Sequence, residues 1–367
     1  MNKFTWERVD LADSVMPEHT EFEWRAPSNI ALIKYWGKHG LQLPSNASLS
    51  MTLSQSCTLT SVQFDRRSGS AGVPDFEFRF GGHHMPAFEP RIRLFLERIL
   101  PYVSWLSGYS LRINSDNSFP HSSGIASSAS SMAALALCVM SMEEALTRDM
   151  DPLLFFDKAS FLARLGSGSA SRSLFGGFVS WGKHPELPQG NEWYASPLEI
   201  PMAEEFIGLR NRVLIVEEGS KSVSSSVGHG LMDGNPFAPE RYRQAEQNLS
   251  RLIQVLQTGE REEFIRLVEG EALMLHALMM SSSPYYLLVK PNTVAIIERL
   301  WEWRRDTGAY CCFTLDAGAN VHILYPDSER DTVEAWIDAE LLKFCQNGNS
   351  ISDRMGSGPK RIVSEIG

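Results

Sequence analysis

With 367 residues, 43% of them hydrophobic and 21% charged, the chain is long enough for about two domains and apolar enough to give each a core. Its net charge of −10, from 34 basic and 44 acidic side chains, argues against the broad basic face of a nucleic-acid footprint. A small anionic ligand stays open, because a few well-placed lysines and arginines suffice to hold one.

The cysteines Cys57, Cys138, Cys311, Cys312 and Cys345 are odd in number and none has metal-finger spacing, so neither a disulfide framework nor a zinc site is expected. Thiols in a reducing compartment are the simpler reading. The N-terminal segment MNKFTWERVDLADSVMPEH is polar and acidic and lacks the apolar stretch of a secretory leader. No run approaches the roughly 18–20 apolar residues of a membrane span. The expectation is a cytoplasmic protein that meets neither membrane nor nucleic acid.

In chain order, residues 1–20 read as a peripheral arm. Glu23–Ala26 reads as a strand punctuated by Pro27, Ser28 and Asn29, and Ile30–Ile33 is a short apolar run. Met51–Leu53 and Cys57–Phe64 alternate with strand period, as does Phe76–Phe80, which Gly81 and Gly82 close as a turn. Arg91–Leu100 is a short amphipathic helix stopped by Pro101. Ser110–Asn114 is a strand leading into Asn117–Leu137, a Ser/Gly loop that runs into a helix. That helix, Ile125–Met140, is apolar on nearly every face and therefore buried. Asp151 and Pro152 start a helix to Leu165. Gly166–Gly177 is a second Gly/Ser stretch, and Phe178–Trp181 a strand. The proline-rich His184–Pro201 divides the chain into domains 1–200 and 201–367. Beyond it, Arg212–Val216 reads as a strand, Lys221–Gly230 as a serine-rich loop, and Pro239–Thr258, Arg261–Met280 and Thr293–Arg305 as helices. Ala309–Leu315 and Val321–Tyr325 are strands flanking Asp316–Asn320. Asp331–Gln346 is the last helix, and the tail MGSGPKRIV can return as a strand. Strands and helices mix without strict βαβ alternation, so the class is α+β.

Four stretches carry candidate chemistry. Strand, Ser/Gly loop and helix N-terminus around Ser122–Ser128 make a phosphate cradle, although an ordinary strand–helix turn has the same look. No Walker pattern and no G-x-G-x-x-G accompanies it. In Gly166–Arg172, small residues let backbone and hydroxyls approach an anion and Arg172 offers a planar fork for it. A helix C-cap accounts for Gly166 but not for the serines and arginine after it. Lys34, Tyr35 and Lys38 offer three groups for phosphate, or else a solvated helix face. Asp316, between two apolar strands, is a candidate general base or a plain turn aspartate.

In combination these stretches resemble the GHMP small-molecule kinases and, within them, the mevalonate diphosphate decarboxylases. Ala26–Lys38 carries the A-P-x-N-I-A-x-I-K-Y-W-G-K pattern throughout, and Gly166–Gly177 matches a second hallmark except for Ser171 in place of Cys. Phe119, Pro120 and Gly124–Ala129 match the phosphate loop, Asp316-Ala317-Gly318-x-Asn320 the segment with the catalytic aspartate, and Gly356–Pro359 the closing motif. The resemblance implies a two-domain GHMP-kinase-like fold, with a ribosomal S5 domain 2-like N-terminal domain, a ferredoxin-like C-terminal domain and a cleft between them, in a homodimer. It implies ATP and Mg2+, transfer of the γ-phosphoryl group to the 3-hydroxyl of mevalonate 5-diphosphate, and loss of phosphate and CO2 to give isopentenyl diphosphate. Asp316 becomes the base, Lys34 the bridge to the transferring phosphoryl group, and Arg172 the partner of the substrate carboxylate or phosphate. Tyr35, Lys38, Ser167, Ser169 and Ser225 become substrate contacts. Pro120, His121, Ser122, Ser123, Gly124, Ile125, Ala126, Ser127 and Ser128 become the ATP cradle, with Ser127 at the metal.

Three departures stand out. His121-Ser122-Ser123 replaces Thr-Ala-Ala before the loop glycine. Ser226 stands where an Arg often follows the second serine, with His229 in place of a nearby Met. Ala319 replaces a Pro. The first two bear on how many phosphates the substrate carries, so mevalonate 5-phosphate is the alternative substrate. A 3-kinase without decarboxylation and a non-catalytic metabolite-binding homologue are the remaining readings.

Overall fold

The computed structural model describes residue 6 and residues 16–68, 72–119, 127–147, 149–219 and 223–362. Two sheets organise it. The first is mostly antiparallel and is built on two long strands, His19–Ile33 and Ser48–Arg66. Tyr109–Asn117 pairs antiparallel with the second of these, and Phe76–Phe80 adds outside it in parallel. Phe178–Trp181 pairs with the Ser48–Met51 end. The second sheet, in the order Cys312–Leu315, Val321–Tyr325, Arg210–Leu214, Ser350–Arg354, is antiparallel throughout.

The long strands differ from their sequence reading, which breaks each into two pieces. His19–Ile33 runs through Pro27, and a register shift between Pro27 and Asn29 accommodates the missing donor. Ser48–Arg66 likewise continues across Ser54–Ser56. There the backbone N–H groups of Ser54, Gln55 and Ser56 donate to the Asp353 carboxylate at 2.8–2.9 Å. A partner from the second sheet thus satisfies donors that a turn would otherwise have claimed. Lys221–Gly230 also differs: Ser225–Gly230 is a short helix, with Ser224 Oγ accepting from Val227 N at its start. Asp331–Gln346 is broken as well, since Arg330–Trp336 is α-helical and the chain then loosens into a π turn over Ile337–Leu341 and tightens into a 3₁₀ turn over Leu342–Phe344.

The helix Ser127–Thr147 lies against the first sheet. By length and composition it is apolar enough to cross a membrane, with mean hydropathy 1.3, contrary to the expectation that no run comes close. Its apolar circumference is instead buried, 83% of it inside the fold, between the sheet and the helix Pro152–Gly166. Asp151 caps that second helix through Leu153 N at 2.9 Å.

One hydrophobic cluster joins the two halves: Leu49, Met51, Phe119 and Phe178 of the first pack with Leu209, Leu249, Leu256 and Phe264 of the second. The tail crosses back too. Lys360–Ile362 pairs with Glu23–Arg25, and Gly356 passes so close to the first sheet that a Cβ there would sit 2.3 Å from Leu53 O. Gly176 faces Ser357 just as closely, at 2.4 Å. Two glycine motifs some 180 residues apart thus allow one backbone-to-backbone contact, as a missing Cβ permits.

Candidate active site

A cleft of about 770 Å³ runs between the halves. Lys34 enters it from the end of His19–Ile33. Its backbone is held on both sides: the N–H donates to Glu271 Oε2 at 2.9 Å and the C=O accepts from Asn46 Nδ2 at 3.0 Å. Its ammonium, buried, donates to Ala31 O at 2.6 Å and Thr314 Oγ1 at 2.8 Å. Burial pulls its pKa down to about 8, against the pull of Asp316 and Glu271 and with the help of Arg172 and Arg241.

Arg172 comes from the second Gly/Ser stretch, where Gly168–Leu174 forms a 3₁₀ turn. It is 2% exposed and donates to Ser48 Oγ, and its guanidinium lies 5.8 Å from the Trp181 ring. Burial pulls its pKa down to about 10, with Tyr35 and Asp316 opposing, so it remains a cation at neutral pH. Its buried Nε has no hydrogen-bond partner among the described residues. A guanidinium buried with a donor unused fits an anion that arrives from the cleft.

The same stretch seats Tyr35. A Cβ on Gly168 would lie 2.7 Å from the Tyr35 hydroxyl, so only glycine allows this approach. Tyr35 packs on Trp181 (4.8 Å between rings) and on His229 (4.4 Å). Ser167 and Ser169 line the cleft beside it, and Ser128 Oγ lies 3.3 Å from Ser167 Oγ, which joins the two Gly/Ser stretches. Asp316 sits in the turn after Cys312–Leu315, its C=O accepting from Gly318 N at 2.7 Å and His276 Nε2 at 3.1 Å. Its charge is felt by Lys34, Arg172 and His229 alike.

Of the residues singled out from sequence, Lys34, Tyr35, Lys38, Ser127, Ser128, Ser167, Ser169, Arg172, Ser225 and Asp316 all line this one cleft. Pro120, His121, Ser122, Ser123, Gly124, Ile125 and Ala126 lie outside the described residues. The segment Lys34–Lys38 is not a helix face: Lys34 is buried, Gly37 takes φ +93°, and Lys38 opens a two-residue strand.

Sequence reasoning missed several contributors. Arg91, Leu94 and Arg98 line the cleft from one face of the helix Glu89–Ile99. Their i, i+3, i+7 spacing was a legible signal. Asn29 ties the Gly/Ser stretch to the first strand, donating to Ser169 O (3.2 Å) and Ser173 Oγ (2.8 Å). Glu271 and Thr314, which hold Lys34, come from distant chain segments and carry no local signal. A smaller apolar cavity of about 80 Å³, walled by Phe78, Phe80, Ile113 and Leu135, shares Phe88, Arg91, Ser127 and Ser128 with the cleft.

Two sheets closing over a lysine, an arginine and an aspartate, with Ser/Gly stretches alongside, define a two-domain protein of the GHMP-kinase-like class. Family profiles narrow this. Residues 26–192 match the diphosphomevalonate decarboxylase-like N-terminal domain, and residues 212–362 the mevalonate 5-diphosphate decarboxylase C-terminal domain. The chain is 32% identical to diphosphomevalonate decarboxylase of Ganoderma lucidum over 90% of its length and 84% of that protein's. It is 32% identical to that of Candida albicans over 84% and 85%. Mevalonate diphosphate decarboxylase from Staphylococcus aureus superposes with TM-score 0.79 at 29% identity, covering 94% of this chain and 98% of that one. MDDEF in complex with MVAPP, AMPPCP and magnesium does so with TM-score 0.78 at 27% identity, covering 94% and 100%. The chain belongs to the diphosphomevalonate decarboxylase family.

Proposed function

We propose that the protein decarboxylates mevalonate 5-diphosphate at the expense of ATP, giving isopentenyl diphosphate, ADP, phosphate and CO2. The observation that carries this reading is the buried Arg172, its Nε without a partner among the described residues, in the same cleft as Lys34 and Asp316. Its charge suits a substrate carboxylate, and its neighbours suit a phosphoryl transfer beside it.

In the reading, the Asp316 carboxylate takes the proton of the 3-hydroxyl as that oxygen attacks the γ-phosphorus and the bond to ADP breaks. Such a transition state is loose, so positioning and charge stabilisation do most of the work. The Lys34 ammonium, held by Ala31 O and Thr314 Oγ1, supplies a fixed charge for the transferring group. The C–C bond to the carboxylate then breaks, its electron pair forms the double bond, and phosphate and CO2 leave. Arg172 orients the carboxylate but must hold it no tighter than the transition state, because only differential binding accelerates. Ser127 and Ser128, at the head of a long buried helix, suit the nucleotide phosphates, and the adjoining apolar cavity suits its base. Ser127 would hold magnesium, which takes hydroxyl oxygens as ligands and would supply charge to offset that of the nucleotide phosphates. A cytoplasmic location, with which the five free thiols agree, and a homodimer are part of the proposal.

A second reading, mevalonate 5-phosphate as substrate, is favoured by Ser226, which puts a hydroxyl in the cleft where the family pattern often has a cation. Mg-ATP with mevalonate, its 5-phosphate or its 5-diphosphate separates the two. ADP release with the diphosphate is expected, and turnover of the monophosphate alone would replace the first reading with the second.

A further inference from the structure

His229 belongs to the short helix Ser225–Gly230, and two neighbours fix its ring. It packs at a tilt on Tyr35 and on Trp36, each with 4.4 Å between ring centroids. The helix is pressed against Trp36 so closely that a Cβ on Gly228 would come within 2.6 Å of that indole and of the Tyr286 hydroxyl. The ring is therefore packed into the cleft wall between two aromatic neighbours.

Its tautomer is fixed as well. Gly37 N donates to His229 Nδ1 at 3.0 Å, and a nitrogen that accepts an N–H carries no proton of its own. The neutral ring must then carry its proton on Nε2. Burial, with Lys38 and Arg172 adding to it and Asp316 opposing, pulls the imidazole pKa down to about 3, so the ring stays neutral at physiological pH. Among the described residues Nε2 makes no hydrogen bond, although Nδ1 does. His229 lines the cleft with Tyr35, Lys38 and Arg172. An ordered N–H donor without an acceptor among the described residues, on the wall of a cleft that Lys38 and Arg172 also line, is placed for a ligand oxygen.

Resting on the function proposed above, we infer that His229 is a substrate-binding residue whose Nε2–H donates to a phosphate oxygen at the 5-position of the substrate. The ring lies against Tyr35 and beside Lys38, at the phosphate end, whereas Arg172 is engaged with the carboxylate. Lys38 supplies charge there and His229 supplies direction. The neighbouring Ser226 is uncharged, so a directional donor contributes recognition that a further cation would otherwise provide.

The test measures binding of inorganic pyrophosphate and of mevalonate 5-diphosphate by calorimetry to the full chain and to His229→Met and His229→Gln. Methionine matches the ring's bulk without a donor, and the glutamine amide can reach the position of Nε2. Loss of one hydrogen bond to a charged group predicts roughly 10- to 100-fold weaker binding of both ligands to His229→Met. Glutamine should recover most of that loss, and ADP affinity should change by less than about twofold in either variant. Unchanged pyrophosphate affinity in His229→Met, or equal loss in both variants, would assign the ring to packing alone and overturn the inference. Should the variants fail to fold, the wild-type ring still decides it. Saturation with pyrophosphate must shift the His229 Nε2–H resonance, and an unmoved resonance overturns the proposal. A wild type that binds pyrophosphate through His229 yet releases no ADP from Mg-ATP and mevalonate 5-diphosphate would sink the function and leave this site standing.

Discussion

Lys34 shows what the fold adds to a residue. Its sequence context offers a lysine four positions from another, compatible with a solvated surface. The structure buries it, bonds both its backbone N–H and its C=O, and places its ammonium between Ala31 O and Thr314 Oγ1. With its pKa near 8, the charged fraction falls as pH rises through that value. If the cation stabilises the transferring phosphoryl group, kcat/KM must decline above about pH 8. Bound phosphates favour the charged form, so the same limb in kcat must lie at higher pH. A kcat/KM that is flat from about pH 7 to 10 would remove Lys34 from that role. Asp316 is tested by removal. Asp316→Ala should lose at least about 10³-fold in turnover, in keeping with a general base, while nucleotide affinity stays within about threefold. Near-normal turnover would exclude it as the base. Both residues were legible because each sits in a recognisable string. Glu271 and Thr314 were not, since nothing local marks a side chain whose partner lies more than 200 residues away.

Among the elements, the helix Arg261–Met280 is the one that fixes the cleft. Its Glu271, 0% exposed, accepts from Lys34 N, from Asn248 Nδ2 at 2.6 Å and from Arg241 Nη2. One carboxylate thus joins the first sheet to two helices of the second half. Removing it leaves a buried guanidinium and a buried peptide N–H without partners. Glu271→Ala should cost about 3–5 kcal/mol, the usual result of breaking a buried pair from one side, read from urea denaturation midpoints at unchanged slope. A loss under about 1 kcal/mol would mean that the anchor is solvated rather than buried. The sequence located most elements because periodicity and capping are local: Asp151-Pro152, the helix Arg261–Met280 and the strand Val321–Tyr325 lie where pattern puts them. It broke the two long strands because Pro27 and Ser54–Ser56 look like turns. Continuity there depends on a bulge and on Asp353, which are tertiary facts. The strand Ser350–Arg354 went unread for the same reason, as its pairing with Arg210–Leu214 supplies what its polar sequence does not.

At the level of the whole molecule, the two halves share a hydrophobic cluster, the C-terminal tail crosses back to pair with the first strand, and the cleft between them gathers ten of the residues singled out from sequence. That convergence explains why long motifs were informative: they mark the places where backbone must come close to backbone or to an anion, and only small residues permit it. The proposal makes one chain perform two coupled events, phosphoryl transfer and loss of a carboxylate, with Arg172 and Lys34 serving different charges in one cavity. The most direct measurement supplies Mg-ATP and mevalonate 5-diphosphate labelled at the carboxyl carbon, and follows ADP and released CO2 separately in the same reaction. Equal amounts of ADP and CO2, formed together, are the predicted result. ADP without CO2 would contradict it and leave a kinase that stops at the 3-phosphate.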